Sequence, residues 1–198
     1  LYPPYNAWRN ATYAVHDNHF GNVFSFVQNA AANYFTHRKI YVNDFNMLAI
    51  DQPVPLEHAR IATTLFGLGG GTPLVLGDDI RHVDPERLRM IKLCLPRTRD
   101  VPVPVDLFER VAPEDYCRIL KLPVETSWDS YMLVAVFNFD DRVSPTPLDF
   151  AQLGLSPDEA HAVFEFWNGE YVGTFRQRVP CEIPPNACRV FRISQART

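Results

Sequence analysis

Apolar residues recur at two different periods in the two halves of this chain. Across residues 22–35, Val23, Val27, Ala30 and Tyr34 share one helical face while Phe24, Ala31 and Phe35 share another, so the spacing predicts a helix buried around much of its circumference. Lys39-Ile40-Tyr41-Val42 then reads as a short strand, followed by a loop holding Asn43-Asp44-Phe45-Asn46. Residues 56–68 carry Ala59, Ala62, Leu65 and Phe66 at helical spacing, and Gly69-Gly70-Gly71 marks the end, where positive φ is cheap. Pro73-Leu74-Val75-Leu76 is the next short strand and leads into Gly77-Asp78-Asp79. A third helix opens with Asp84 as N-cap and Pro85 at its first position, and its period is expected to bury Leu88, Ile91 and Leu95. This alternation is that of βα units around a parallel sheet.

After Pro96 prolines become dense, helical periodicity fades, and short apolar or alternating runs follow one another at 103–108, 116–122, 131–138, 162–166, 171–175 and 189–193. Several short strands separated by turn signals predict an antiparallel β-sandwich. Asn168-Gly169, set between two such runs, predicts a two-residue hairpin. The change of character falls between Pro96 and Asp100, which divides the chain into domains 1–97 and 98–198. Internal repeats and low-complexity stretches are absent from the sequence.

The chain has 198 residues, 46% of them hydrophobic, enough for a sizeable core. A net charge of −4 without any run of like charges argues against nucleic acid or an anionic membrane surface as a partner. Nor does any stretch reach the roughly 20 apolar residues of a membrane helix. The amino terminus, Leu1-Tyr2-Pro3-Pro4-Tyr5, carries neither a start methionine nor a signal-type apolar run, so the expectation is a chain that begins inside a longer protein or after processing. Cys94, Cys117, Cys181 and Cys188 lack the close pairing of zinc sites; Cys181 and Cys188 either meet on a hairpin or are buried free thiols. His16, Asp17 and His19 cluster in sequence, but their spacing fits no well-defined metal site.

The order Trp8-Arg9, a buried helix, Tyr41-Val42-Asn43-Asp44 with Met47-Leu48 behind it, Glu57-His58-Ala59-Arg60 in a helix, Gly77-Asp78-Asp79-Ile80 and Pro85-Glu86-Arg87-Leu88 resembles the end of the catalytic barrel in melibiase (α-galactosidase) type glycoside hydrolases. Ala135-Val136-Phe137-Asn138-Phe139 and Phe166-Trp167-Asn168-Gly169-Glu170-Tyr171 look like the sandwich domain of the same family, so the resemblance spans essentially the whole chain. It implies an α/β plus all-β fold, the last three βα units of a (β/α)8 barrel followed by an antiparallel β-sandwich. A closed barrel takes about eight such units and about 250 residues, so a partial sequence is implied. The implied activity is retaining hydrolysis of terminal α-linked sugars, foremost α-galactosides, by two carboxyl groups about 5 Å apart. Carbohydrate is the implied partner, and neither metal nor organic cofactor is required. The nucleophilic aspartate of the family stands on an earlier strand, so this chain alone is not expected to cleave a glycoside.

The acid/base aspartate of the family lies four residues after an arginine matching Arg9, where this sequence has Tyr13. Asp17 takes that role if the loop carries an insertion or the alignment is shifted; otherwise it is a solvated loop residue and the parent is a degenerate, carbohydrate-binding protein. Arg9 offers a rigid fork of donors for sugar hydroxyls, or equally for a rim salt bridge. Asn43 and Asp44 would contact sugar from a strand end, Asp44 being as suited to capping its loop. Asn46 stands where the family usually has an aspartate. Asp78 and Asp79 either ring the sugar pocket or cap the helix that follows. Trp8, Trp128, Trp167 and Tyr171 could stack on sugar rings, although Trp167 and Tyr171 are better read as hairpin core.

Overall fold

The computed structural model describes residues 7–9, 20–40, 42–45, 47–69, 74–95, 100–109 and 116–196, and its chain divides into two units, Leu1–Val101 and Pro102–Thr198. In the first unit the described order is β1 (Ala7–Arg9), α1 (Phe20–Ala32), β2 (Val42–Asp44), β3 (Met47–Leu48), α2 (Leu56–Gly69), β4 (Val75–Leu76) and α3 (Pro85–Leu93). β1 pairs with β2 and β3 with β4, both in parallel, so α1 and α2 are the crossovers that parallel pairing demands. The α2 helix lies against both α1 and α3. Its buried side is broad: Ala59, Ile61, Ala62, Leu65 and Phe66 are all shielded, and the Phe66 ring meets Phe45 edge-on at 5.5 Å. Full burial of each large apolar side chain contributes roughly 1.5–3 kcal/mol.

Helices α1 and α3 depart from their expected faces. α1 ends at Ala32 with a last helical bond from Asn33 N–H to Asn29 O at 3.0 Å, and tight turns follow in which Thr36 N–H reaches Asn33 O at 3.1 Å. Val27, Ala30 and Ala31 are buried, but Phe35, beyond the helix, is thrown outward and left 55% exposed. In α3 the cap is as expected: the Asp84 carboxylate accepts Glu86 N–H and Pro85 occupies the first turn. The buried stripe, however, is Arg87, Met90 and Ile91, and Leu95 is 54% exposed because the helix has already ended. An arginine can occupy that stripe because its guanidinium donates to the carbonyl of Ile50.

The second unit contains β5 (Val103–Pro104), β6 (Ile119–Glu125), β7 (Ser130–Asn138), β8 (Ser144–Pro145), β9 (Leu148–Asp149), α4 (Phe150–Leu153), β10 (His161–Glu165), β11 (Glu170–Phe175), β12 (Arg178–Val179), β13 (Glu182–Ile183) and β14 (Ala187–Gln195). Six strands form one antiparallel sheet in the order β11-β10-β14-β7-β6-β5. Over one face lie the short pairs β9-β12 and β8-β13 together with α4. Alternation fixes what each face holds: Met132, Val134 and Val136 of β7, Phe191 and Ile193 of β14 and Val163 of β10 meet Leu148, Phe150, Leu153, Val179 and Ile183 in a single core. The one-turn α4 is capped at both ends. Asp149 accepts the N–H groups of Ala151 and Gln152, and Lys121 donates to the carbonyl of Leu153 at 2.9 Å. Pro123 is tolerated in β6 because β5 pairs only with Leu120 and Lys121, leaving the proline on an open edge.

The Asn168-Gly169 hairpin differs from its expected form. Glu165 and Glu170 are the last paired residues, so the loop has four members, Phe166, Trp167, Asn168 and Gly169. The buried Glu165 carboxylate explains this, since it takes Asn168 N–H at 2.6 Å and Val190 N–H at 3.2 Å and draws the loop back. A bulge follows. Val163 faces Gly173 while Phe164 faces Tyr171, so Val172 is the extra residue, and Gly173 at φ 142° supplies the backbone that it needs. Tyr171 is consequently 59% exposed instead of forming hairpin core.

Asn138, fully buried, ties the sandwich together. Its amide donates toward the carbonyls of Arg142, Ile183 and Pro184 at 2.8–3.0 Å, and its oxygen accepts Asp140 N–H and the Tyr116 hydroxyl. Replacing it with alanine strands three carbonyls, and Asn138→Ala is expected to cost roughly 3 kcal/mol of unfolding free energy, read as a lowered denaturation midpoint at unchanged slope. A loss within experimental error would show that water replaces the amide.

Candidate functional site

Three-residue strands are enough to aim side chains when they lie in register. β1 and β2 pair Ala7 with Val42, Trp8 with Asn43 and Arg9 with Asp44, so Arg9 and Asp44 are backbone partners at the ends of adjacent parallel strands. β2 lies further along the chain than its apolar run suggested. Lys39 and Ile40 belong to a turn in which both N–H groups reach Thr36 O, at 3.1 and 2.9 Å, and Arg38 adopts φ 60°. Asn43 and Asp44 therefore stand within the strand, where a following loop was expected. Asn43 is buried, and its backbone N–H donates to Nδ1 of the buried His37 at 2.9 Å. That bond makes Nδ1 an acceptor, so the neutral ring carries its proton on Nε2.

The second parallel pair, Met47 with Val75 and Leu48 with Leu76, is extended by Gly77 N–H to Leu48 O at 2.8 Å. A side chain at Gly77 would meet Met47 Sδ at 2.9 Å and Ala49 Cβ at 3.0 Å, so a larger residue there would displace the Met47 side chain and crowd Ala49. Directly after it, Asp78 Oδ2 accepts Ile50 N–H at 2.6 Å, while Arg87 holds the carbonyl of the same residue. Ile50, with no exposed surface, is thus clamped by its own backbone groups from the β4 end and from α3. Asp79 behaves differently. It lies exposed and receives Arg81 through two bonds, Nε to Oδ1 at 2.8 Å and Nη2 to Oδ2 at 2.6 Å, with His82 Nδ1 3.1 Å away. Chiefly through Arg81, this bonding holds the Asp79 carboxyl down to about 2. Neither aspartate caps α3, a task that belongs to Asp84.

Asp17 and Asn46 lie outside the described residues, as do Tyr13, His16 and His19. Glu57-His58-Ala59-Arg60 falls in the first turns of α2, where Arg60 pairs with Glu57 at 2.8 Å and burial lowers the His58 pKa. Sequence reasoning overlooked His37 and Arg87. Arg87 left a signal, since it precedes Met90 and Ile91 by three and four positions on the stripe that α3 buries; a lone histidine before a turn left none.

In the second unit Trp128 is 75% exposed, and Trp167 is partly covered, with its ring edge-on to Phe166 at 5.1 Å. All four cysteines are buried free thiols. Burial pushes Cys181 up to about 12 and Cys117 higher still, the latter beside Asp106, so neither presents a thiolate nucleophile near neutrality. Among the described residues no three His, Cys, Asp or Glu side chains gather as a metal site, and no helix is long and apolar enough to cross a membrane.

Residues 124–193 match the family model described as the alpha galactosidase C-terminal beta sandwich domain. Among solved structures, a β-L-arabinopyranosidase of family GH27 from Geobacillus stearothermophilus, in complex with arabinose, superposes with a TM-score of 0.73 at 15% identity, over 97% of this chain and 46% of its own. An α-galactosidase I from Mortierella vinacea gives a TM-score of 0.70 at 15% identity, over 98% of this chain and 54% of its own. A Saccharomyces cerevisiae α-galactosidase with raffinose gives 0.60 at 10% identity, covering 89% and 51%. The chain thus spans about half the length of these glycosidases, and at such identities the likeness is one of fold. No curated protein matches in sequence. The melibiase-type resemblance read from the sequence is borne out, in sequence over the sandwich and in fold over nearly the whole chain.

The Asp79 arrangement can be checked directly. An NMR titration of its carboxyl should give a midpoint near 2, and Arg81→Ala should return it toward the ordinary value of about 3.9. Because the folded value is depressed, the ion pair favours the native loop above the unfolded pKa, and that contribution fades as pH falls through the folded one. An unchanged midpoint in Arg81→Ala would show that the pair does not form in solution.

Proposed function

We propose that these 198 residues are the carboxy-terminal part of a retaining glycoside hydrolase, in which residues 1–97 close a (β/α)8 catalytic barrel and residues 98–198 form the sandwich that follows it. The parent hydrolyses terminal α-linked sugars, foremost α-galactosides. The observation that carries this reading is the in-register parallel pairing of β1 with β2, which ends two neighbouring strands on an arginine and an aspartate, at the strand-end face where barrel enzymes carry their working groups. The sandwich match over residues 124–193 and the fold shared with solved glycosidases support it.

Retention needs a nucleophilic carboxylate and, about 5 Å away, a carboxyl that first protonates the leaving oxygen and then activates water. In this reading the nucleophile belongs to the portion of the parent outside these residues, and Asp17, downstream of β1, is the acid/base. Arg9, Asn43, Asp44 and Asn46 contact the sugar from the β1 and β2 ends. Asp78 serves the rim by fixing Ile50, and Asp79 stands at the rim already engaged by Arg81. No metal or organic cofactor takes part.

A second reading, a pseudoenzyme that binds carbohydrate without cleaving it, is favoured by Tyr13 and Asn46 standing where the resemblance calls for carboxylates. Kinetics on the full-length parent separate the two. Aryl α-galactosides should be cleaved with retained anomeric configuration. Asp17→Asn should lower kcat by roughly 10²–10⁴-fold, the range for a lost general acid. Asp44→Asn should act mainly on KM. Sugar binding with no turnover in the wild-type parent would install the second reading, and full activity in Asp17→Asn would remove Asp17 from the mechanism. The 198-residue chain alone should show no turnover.

A further inference from the structure

At one end of the six-stranded sheet lies a groove of about 670 Å³, lined by Asp129, Ser130, Ala162, Arg192, Ser194 and Gln195, with Ala162, Arg192 and Ser194 on the face that points away from the α4 core. Strand register builds it. Arg192 on β14 stands opposite Phe164 on β10, and Phe164 stands opposite Tyr171 on β11, so one row across three strands reads arginine, phenylalanine, tyrosine. Both aromatic rings are solvent-exposed, and the Tyr171 hydroxyl meets Thr174 Oγ1 at 2.6 Å.

The guanidinium of Arg192 is held in place from three directions. It lies 4.5 Å above the centre of the Tyr131 ring, donates from Nη2 to Asp129 Oδ2 at 2.7 Å, and donates from Nη1 to Ser194 Oγ at 3.1 Å. Asp129 is fixed in turn, its Oδ1 accepting Ser130 N–H at 3.0 Å. These contacts leave further N–H groups of the five-donor fork and further lone pairs of the carboxylate available at the groove.

We propose that this groove is a second, non-catalytic binding site for a neutral saccharide. Charge decides the ligand class. Arg192 and Asp129 neutralise each other at 2.7 Å, so the groove has little net field with which to hold phosphate or a carboxylate. A fixed fork of donors beside a fixed acceptor suits a ligand that presents both roles on neighbouring atoms, as vicinal hydroxyls do. Outside that lining, but next to Arg192 in the same cross-strand row, the exposed Phe164 and Tyr171 offer apolar surface on which the C–H face of a pyranose can rest. All of these groups belong to the second unit.

The test is a chemical-shift titration of the complete 198-residue chain with three probes: methyl α-galactoside, raffinose and inorganic phosphate. A sugar should move the signals of Arg192, Ser194, Phe164 and Tyr171 saturably, and phosphate should not. Tyr171→Ala, at a largely exposed position where folding is not at stake, and Arg192→Lys, which keeps the charge but loses the fork, should each weaken sugar binding by roughly tenfold. Shifts caused by phosphate alone, silence with every probe, or sugar shifts that survive Tyr171→Ala undiminished would each overturn the proposal. Shifts confined to the β1 and β2 ends would also overturn it while leaving the barrel reading intact.

Discussion

Parallel strands cannot be joined by a tight turn; each must be followed by a crossover that brings the chain back to the starting end before the next strand begins. That constraint organises the first unit. It makes α1 and α2 obligatory, buries one side of each, and within each parallel pair sends the chain out of both strands at the same end. In β1 and β2 it brings Arg9 and Asp44 to neighbouring backbone positions at the two strand ends. In the β3-β4 pair Gly77 leaves room for Met47 and Ala49, and Asp78 and Arg87 grip both backbone groups of Ile50 from two different elements.

The second unit meets the opposite condition. Its strands are antiparallel and can be joined by short loops, so its order comes from burying a six-stranded sheet, one face of it against short strands and a single helical turn, with Leu120, Leu122, Ala135 and Phe137 buried on the other. Pieces that short have little cooperativity of their own, and side-chain anchors compensate. Asn138 gathers three carbonyls, Glu165 gathers two amides, and Asp106 accepts the N–H groups of Arg118 and Ile119 at 2.8 and 3.0 Å where β6 begins. These buried or half-buried polar groups have partners in the backbone, which makes their role one of fixing geometry.

The sequence was most legible where a pattern is long and local. The α2 stripe and the Asp84-Pro85 start of α3 stand where periodicity and capping chemistry put them. The misreadings share a different cause, a contact with a residue remote in sequence or a backbone conformation that composition does not reveal. β2 begins later than its apolar run because the turn around Arg38 consumes Lys39 and Ile40. The Asn168-Gly169 loop is longer than its two-residue signal because Glu165 pulls on it, and Tyr171 faces solvent because a bulge intervenes. In the candidate site, the order of Arg9, Asn43 and Asp44 could be read, but their register across two strands could not. Asp78 looked like a pocket residue, and only the fold reveals its bond to Ile50.

In the proposed parent enzyme Arg9 and Asp44 jointly grip a sugar at the ends of β1 and β2. The most direct test is a crystal structure of the full-length parent holding a non-hydrolysable α-galactoside. The ring should lie across those two strand ends, with the Arg9 guanidinium and the Asp44 carboxylate each within about 3 Å of sugar hydroxyls. A ligand bound with both side chains turned away from it, or seated at some other edge of the first unit, would contradict the account.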